Sequence, residues 1–246
     1  MSELWASEFR IEKLEKDAGK NWDKFYLRNK DHFFKDRNWS VEDMKLLCSH
    51  LNLKEALVYL EAGCGVGNML FPISLQFNYF RFYGFDLSVR AVTMLQERAS
   101  SLGISVETCV FDLTNSNCSK PPEWPLANIT TLIFVLSSIS PANHLQAIQT
   151  LKKFVDFGGV VLVRDYGDQD HAMVRFGRGA LLSDRFYARQ DGTRVFYFKL
   201  EELDNIFKNA GFAVRKSEYL HRKTINRKKG LSVDRIFVQG VYEKVN

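Results

Sequence analysis

The sequence has few prolines and few cysteines, and each shortage excludes a class of protein. Five of the 246 residues are proline, and no stretch rich in Pro, Gly or Ser separates one part of the chain from another. The four cysteines (Cys48, Cys64, Cys109 and Cys118) form no CxxC pair, which argues against a disulfide framework and a structural zinc site. We therefore expect free thiols in a reducing compartment, cytoplasmic and also nuclear, and no bound metal.

Long apolar runs are missing as well. No segment is apolar for long enough to span a bilayer, and the opening MSELWASEF lacks the apolar core of a signal peptide. Apolar residues make up 46% of the chain and charged residues 26%, which is ordinary for a globular domain with one core. We expect no membrane association.

Positive charge is in moderate excess. The formal net charge is +5, and basic residues are concentrated between positions 208 and 235 and in the block FFKDRNW at 33–39. This distribution fits a polyanionic partner such as a nucleic acid, but a solvated basic face would look the same. Charge alone leaves both explanations open.

Apolar segments with the character of strands alternate with helical segments from residue 57 onward. Strands are predicted at 57–60, 82–85, 106–111, 129–136 and 160–166. This order predicts an α/β fold, with a Rossmann-like seven-stranded sheet that is mostly parallel, has an antiparallel edge strand and carries helices on both faces. The last two strands, 213–219 and 236–242, have no helix between them and should form an antiparallel edge pair.

The same pattern suggests how the chain is organised. Residues 1–54 are polar and helical in character and form an N-terminal extension. Residues 55–246 form the α/β domain, into which a long loop-like segment is inserted at about 167–198.

An acid and three glycines follow the first strand in LEAGCGVGNMLF. Gly63, Gly65 and Gly67 predict a turn in which the backbone can approach a ligand closely. The stretch does not match the dinucleotide fingerprint, because Asn68 stands where the last fingerprint glycine would fall, and it lacks the Gly-Lys-Ser/Thr of a Walker A loop. Since Glu61 is poorly placed against a phosphate, a cationic or zwitterionic ligand is expected.

Two further acids end the second and third strands. Asp86 can accept from both hydroxyls of a ribose, and Asp112 can accept from an adenine amino group with Leu113 beside the ring. Helix capping or a turn is the alternative explanation for both acids. S-adenosylmethionine carries a sulfonium, an ammonium, a ribose and an adenine but no phosphate, and it fits this set of groups.

The glycine triplet with Glu61, Asp86 and Asp112 at successive strand ends resembles the class I S-adenosylmethionine-dependent methyltransferases. The resemblance extends over residues 57–166 and implies that these positions bind S-adenosyl-L-methionine. It does not identify the methyl acceptor, because this fold serves many acceptors.

Five segments outside that motif set are more specific. KNWDKFYLRN, FFKDRNW, LIFVLSSI, VRDYGDQDHAMVRF and FYARQDGTRVFYF are together similar to the eukaryotic tRNA 3-methylcytidine methyltransferases, most closely to the methyltransferase-like-six branch. The family implies methylation of cytidine 32 in the tRNA anticodon loop. The branch implies serine tRNAs, with seryl-tRNA synthetase as a helper protein, and we expect the chain to be a monomer.

The resemblance also assigns an aromatic pair to the cofactor. It implies that Trp22 and Tyr26 close over the cofactor and that Leu113 and Ile133 occupy other contact positions. The alternative for the aromatic pair is an amphipathic helix that packs on the sheet.

Methylation at N3 of a neutral cytosine needs no general base, because that nitrogen already has a lone pair, so orientation dominates. The product is cationic, and a carboxylate near the ring would stabilise it. The candidate is Asp165 at the end of the fifth strand, with Arg164 and Tyr166 beside it; Tyr166 or Phe134 could stack on the base. The alternative is a salt bridge between Arg164 and Asp165 at the strand end.

Arginines and aromatic residues are frequent in the inserted segment, and basic residues occur on both sides of it. We expect them to bind phosphates and to stack on bases of an RNA loop. The candidate RNA-binding residues are Lys35, Arg37, Arg175, Arg189, Arg194, Arg222, Lys223 and Lys228. Two other functions stay open: a methyltransferase of the same fold acting on a protein or a small molecule, and a scaffold without turnover.

Overall fold

The computed structural model describes residues 5–30, 35–37, 40–115, 121, 123–177, 179–226 and 231–245. The strands within these residues are β1 (Val58–Ala62), β2 (Arg81–Asp86), β3 (Glu107–Val110), β4 (Ala127–Ile133), β5 (Val155–Tyr166), β6 (Leu181–Ser183), β7 (Phe186–Ala188), β8 (Arg194–Phe196), β9 (Phe212–Asn226) and β10 (Leu231–Lys244). The helices are α1 (Glu8–Lys16), α2 (Ala18–Asn29), α3 (Ser40–Leu47), α4 (Leu70–Gln76), α5 (Val89–Leu102), α6 (His144–Lys152) and α7 (Leu200–Asn209).

Seven strands form the main sheet in the order β3-β2-β1-β4-β5-β10-β9. The first five are parallel, and β10 runs antiparallel to both β5 and β9. The predicted mostly parallel sheet with an antiparallel pair at one edge is confirmed, with β10 one place in from the edge. The strand order reverses at β1, which has β2 on one side and β4 on the other, and such a reversal leaves a crevice at the carboxyl ends of the strands.

Both faces of the main sheet are covered by apolar packing. Because side chains alternate across a strand, Leu60 and Val163 pack on the face covered by α6 and α7, whereas Tyr59 and Leu162 pack on the face covered by α3, α4 and α5. This arrangement confirms the prediction of helices on both faces. None of the helices in the described ranges is both long and apolar enough to cross a membrane.

The inserted segment contains a second, three-stranded sheet, in which β7 pairs antiparallel with β6 and with β8. The sequence predicts a loop there, because strands of three residues are too short to show an alternating pattern. The turn between β7 and β8 closes at Gly192, which has a positive φ of 84°, and Asp191 accepts from the backbone N–H of Thr193 at 2.9 Å. Phe186 and Phe196 bury the inner face of this small sheet.

Candidate active site

A cleft of about 280 Å³ opens at the carboxyl ends of β1 and β2, at the reversal of strand order. Helix α2 lies across it. Nine of the ten predicted cofactor-binding residues line this cleft: Trp22, Tyr26, Glu61, Gly63, Gly65, Asp86, Asp112, Leu113 and Ile133. Gly67 is not among the cleft-lining residues of the described chain.

All three glycines have positive φ, at 68° for Gly63, 52° for Gly65 and 82° for Gly67. A Cβ added at Gly65 would lie 2.6 Å from the hydroxyl of Tyr26, and one at Gly67 would collide with the ring of Phe71. The glycines are therefore required by the left-handed turn and by the close packing of the protein around it, in addition to any approach of a ligand.

The carboxylate of Asp86 joins the first two strand ends. Its Oδ2 accepts from the backbone N–H of Gly65 at 2.8 Å, and its Oδ1 accepts from the backbone N–H of Ser88 at 2.9 Å. Burial raises the pKa of Asp86. Because each carboxylate oxygen has two lone pairs, the side chain can still accept from a pair of hydroxyls in the cleft. Asp86 is thus a turn-forming acid and a cleft residue at once.

Asp112 and Leu113 form the third strand end. Asp112 Oδ1 accepts from the backbone N–H of Thr114 at 2.8 Å and from its hydroxyl at 2.7 Å, which closes a local turn. Leu113 is buried, and together with Ile133 and Phe85 it gives the cleft an apolar wall. An apolar wall beside a carboxylate suits a flat heteroaromatic ring that carries an amino group.

Glu61 provides the clearest test of what the cleft can hold. Its Oε2 is buried and, within the described residues, has no hydrogen-bond partner. Burial raises the pKa of Glu61 to about 8, although the nearby Arg37 opposes this rise. A buried carboxylate oxygen without a donor is rare in proteins. The amino group of S-adenosylmethionine would supply that donor, so the residues present fit this cofactor.

The aromatic residues of α2 form the cover of the cleft. Trp22, Phe25 and Tyr26 contact one another, with ring centroids 5.3 to 6.1 Å apart, and they pack on Val66 and Ala91. The two explanations for Trp22 and Tyr26 therefore describe one arrangement, since both side chains pack on the domain and also line the cleft.

Tyr166 and Phe134 lie at the other end of the cleft. Their ring centroids are 4.9 Å apart. Phe134 has a φ of 58°, a conformation that residues other than glycine rarely adopt and that is concentrated at functional sites. Its backbone N–H donates to the carbonyl oxygen of Arg164 at 2.8 Å, which fixes the end of β4 against β5.

Asp165 and Arg164 were expected near the bound base, but neither residue lines the cleft. Asp165 is fully buried; its Oδ2 accepts from the backbone N–H of Ser137 at 2.9 Å and its Oδ1 from the backbone N–H of Tyr166 at 2.9 Å. Arg164 lies on the other face of β5 and is held by Asp43 of α3 and Gln239 of β10. Because successive side chains of a strand point to opposite faces, these two residues form no salt bridge either. Burial raises the pKa of Asp165 to about 6.

The candidate RNA-binding residues fall into two groups. Arg37, Arg189 and Arg194 line the cleft, while Lys35, Arg175, Arg222 and Lys223 are exposed outside it. Lys228 and Cys118 lie outside the described residues. The Arg37 guanidinium is centred 4.8 Å from the Phe134 ring, and the Arg189 guanidinium 5.7 Å from the Tyr166 ring.

Arg194 differs from the other arginines of the cleft. Its side chain is 6% exposed and forms an ion pair with Glu15 of α1. The guanidinium is thus already paired with a carboxylate of the protein.

Arg235 and Phe237 of β10 lie beside the Tyr166 ring but do not line the cleft, and neither is among the site residues expected from the sequence. The Arg235 guanidinium lies 5.8 Å from the centre of the Tyr166 ring and 5.2 Å from that of Phe237, and its Nε donates to the buried Asp170 at 2.8 Å. Their spacing of two residues along a predicted strand could have indicated that both side chains lie on the same face of that strand. Within the described residues, no three His, Cys, Asp or Glu side chains are grouped to hold a metal ion.

Comparison with known proteins agrees with this geometry. The model of a methyltransferase-domain family matches residues 31–217. The chain is 41% identical over 241 residues to the tRNA N(3)-cytidine methyltransferase METTL6 of Rattus norvegicus, covering 97% of this chain and 83% of the relative. It is 34% identical over 241 residues to the tRNA(Thr) (cytosine(32)-N(3))-methyltransferase of Saccharomyces cerevisiae, covering 96% of this chain and 38% of that relative.

A solved structure shows the same fold. The S-adenosylmethionine-dependent methyltransferase of Anabaena variabilis superposes with a TM-score of 0.67 at 15% identity, covering 92% of this chain and 95% of that one. At this identity the likeness concerns the fold alone.

Proposed function

Because this chain belongs to the family of tRNA N(3)-cytidine methyltransferases, we propose that it methylates cytidine 32 in the anticodon loop of serine tRNAs. The reaction class follows from the family: transfer of a methyl group from S-adenosylmethionine to N3 of a cytidine in tRNA. The position and the isoacceptor are the proposal. Its support is the higher identity to METTL6, 41%, than to the threonine tRNA enzyme of yeast, 34%, together with the resemblance to the branch that implies serine tRNAs.

One observation carries the assignment to a base as acceptor. Phe134 and Tyr166 line the same cleft as Glu61 and Asp86, so an aromatic platform and the cofactor residues share one enclosure. A flat base that enters the cleft has two rings to pack on and the Arg37 guanidinium as a donor beside them. A cytidine must leave any base stack to do so, which an anticodon loop permits.

S-adenosylmethionine, when bound, supplies an electrophilic methyl group on a positively charged sulfur. Glu61 would receive its amino group, Asp86 its ribose hydroxyls, and Asp112 with Leu113 its adenine. No residue of the chain has to remove a proton, because N3 of neutral cytosine has a free lone pair. The work of the protein is therefore to orient the base and to exclude water, which the cover formed by Trp22 and Tyr26 promotes.

The same proposal extends to partners and compartment. The branch resemblance supports seryl-tRNA synthetase as a helper protein, and we further propose that the chain works as a monomer. The free thiols of Cys48, Cys64 and Cys109 support a reducing compartment, which we take to be the cytoplasm with access to the nucleus.

The test is methylation of purified tRNA by the purified chain. Serine and threonine tRNAs are incubated with S-adenosylmethionine, with and without seryl-tRNA synthetase, and 3-methylcytidine is located by mass spectrometry of nuclease fragments. We expect 3-methylcytidine at position 32 of the serine tRNAs, more of it when the synthetase is present, and none in serine tRNA with uridine at position 32.

Each other outcome contradicts a stated part of the proposal. Methylation of threonine tRNAs alone would overturn the isoacceptor, and methylation at another cytidine would overturn the position. Methyl transfer to added protein but to no tRNA would overturn the acceptor class.

A further inference from the structure

The helix that covers the cleft is fastened on two opposite sides. We call α2 the lid. On one side, Asp23 of the lid accepts from the hydroxyl of Ser88 at 2.6 Å and from the backbone N–H of Arg90 at 3.1 Å. These donors stand at the start of α5, where the helix dipole favours an anion. This side joins the lid to the cofactor-binding part of the main sheet.

The other side of the lid is fastened to the small sheet. Asn21 of the lid donates through Nδ2 to the carbonyl oxygen of Gly192 at 3.0 Å. Glu15, at the end of α1 and just before the lid, forms an ion pair with Arg194 at the start of β8. Gly192 and Arg194 belong to one hairpin, so the two contacts act on the same edge. Glu15, Asp191 and Arg194 all line the cleft at this edge.

The environment of Arg194 favours a structural pairing over contact with solvent or RNA. Its side chain is 6% exposed, whereas Glu15 is 40% exposed. Its guanidinium also lies 5.5 Å from the centre of the Phe186 ring, and its backbone carbonyl accepts from Arg189 Nη1 at 3.1 Å. Taking a carboxylate away from a buried guanidinium leaves the buried charge without compensation, which is unfavourable. Lifting the lid from the small sheet would do this to Arg194.

From this geometry we infer that the Glu15–Arg194 ion pair is a latch that holds the lid closed over the cofactor. Arg194 is then a positioning residue for cofactor binding, and it is not a contact to RNA phosphates. The inference rests on the proposed function only for the identity of the cofactor. A latch matters because a ligand that binds beneath a lid has an apparent Kd set by the fraction of molecules in the competent, closed state.

The experiment measures the binding of S-adenosylhomocysteine by calorimetry in the absence of RNA, so it does not depend on which tRNA is methylated. In Arg194→Gln we expect the Kd to rise about tenfold as the closed fraction falls. We also expect faster hydrogen exchange of the lid amides. In the charge-exchanged double variant Glu15→Arg/Arg194→Glu, the Kd should return to within about threefold of the wild-type value, because a pair of opposite charges is restored.

Two further variants keep the inference falsifiable. Asn21→Ala removes only the bond to Gly192, and it should raise the Kd about threefold, as expected for one hydrogen bond. The matched control is Arg185→Gln, which breaks another ion pair of the small sheet, to Glu202 of α7, without touching the lid. Its Kd for S-adenosylhomocysteine should equal that of wild type.

The Kd for tRNA, measured at increasing salt concentrations, tests the alternative that Arg194 contacts RNA phosphates. If Arg194 contacts phosphate, Arg194→Gln would leave the Kd for S-adenosylhomocysteine unchanged and would lower the salt slope of tRNA binding by about 0.7, the value for one lost phosphate contact on a single strand. An unchanged Kd in both Arg194→Gln and Asn21→Ala would likewise overturn the latch. A failure to methylate serine tRNA would contradict the proposed function, but it would not change what the binding measurements say about the latch.

Discussion

The backbone N–H of Gly65 donates to Oδ2 of Asp86 at 2.8 Å, which joins the glycine turn after β1 to the end of β2. The parallel pairing of β1 with β2 sets Ala62 opposite Phe85 and brings the two strand ends level. One carboxylate therefore shapes the turn and also faces the cleft. Loss of this side chain should disturb the site through both contributions.

We expect Asp86→Ala to raise the Kd for S-adenosylhomocysteine at least about hundredfold, since it removes the ribose acceptor and two charge-assisted hydrogen bonds to backbone N–H groups. Calorimetry measures the Kd, and circular dichroism checks the fold. Glu107→Ala, at an exposed carboxylate that begins β3, is the control and should bind normally. Normal affinity in Asp86→Ala would refute the ribose assignment.

The stability of the ligand-free protein should depend on pH through Glu61. Burial raises its pKa to about 8 from an ordinary value of 4.5, so between these values the folded state keeps a proton that the unfolded state releases. The contribution of Glu61 to the free energy of unfolding therefore falls as the pH rises from 4.5 to about 8. Glu61→Gln cannot ionise, so its melting temperature should match wild type at pH 4.5 and exceed it by several degrees at pH 8.5. A wild-type advantage at pH 8.5 would contradict this assignment.

Cofactor binding should release a proton from the same group. An ammonium held beside Glu61 favours the carboxylate and lowers its pKa, so a fraction of one proton leaves at pH 7. Titration calorimetry in buffers of different ionisation enthalpy counts this proton. Glu61→Gln should release none and should bind S-adenosylhomocysteine about tenfold more weakly, because it loses a charge-assisted hydrogen bond. Equal proton release by both proteins would show that another group titrates.

The strand ends that form the cleft were predictable because each rests on a local signal. Gly63, Gly65 and Gly67 mark a left-handed turn, and Asp86 and Asp112 each follow an apolar run that the parallel sheet must align with its neighbours. For Glu61, the sequence predicted a preference for a cationic ligand but not that one carboxylate oxygen would be buried without a hydrogen-bond donor. Its burial depends on packing from several elements that no local pattern reveals.

The roles of the last residues of β5 depend on register and on distant segments, which the local sequence does not reveal. Arg164 is held by Asp43 of α3 and by Gln239 of β10, which are far from it in sequence. Asp165 is turned toward Ser137, in a turn that begins within residues 134–136, which the sequence predicted as the end of the strand. The ion pair of Arg194 with Glu15 was hidden for the same reason, since charge alone cannot tell a paired arginine from a free one.

The position of Asp165 leads to a prediction about the turn after β4. In Asp165→Ala the buried N–H of Ser137 loses its acceptor, which should lower the free energy of unfolding by about 2 kcal/mol. Urea denaturation measures that change, and the kcat for tRNA at saturating substrate should fall less than about tenfold, because the side chain supports the turn by hydrogen bonds and does not line the cleft. A loss of kcat above a hundredfold with unchanged stability would restore a direct role in charge stabilisation.

Strands β9 and β10 continue as a two-stranded ribbon past the end of β5. The pairing of β10 with β5 ends at Phe237 opposite Tyr166, whereas its pairing with β9 continues to Leu231 opposite Asn226. The ribbon therefore extends past the strand end that borders the cleft. Its exposed cations, Arg222 and Lys223, are well placed to contact phosphates of a tRNA whose loop occupies the cleft.

In Arg222→Ala and Lys223→Ala we expect the Kd for tRNA to rise severalfold for every isoacceptor, because phosphate contacts carry no sequence information. The slope of log K against log salt should become shallower by about 0.7 to 0.9 per residue, measured by filter binding between roughly 50 and 200 mM salt. Lys54→Ala is the matched control, because this exposed lysine precedes β1 at the amino ends of the strands, away from the cleft. Equal slopes for the ribbon variants and Lys54→Ala would exclude the ribbon from the tRNA-binding surface.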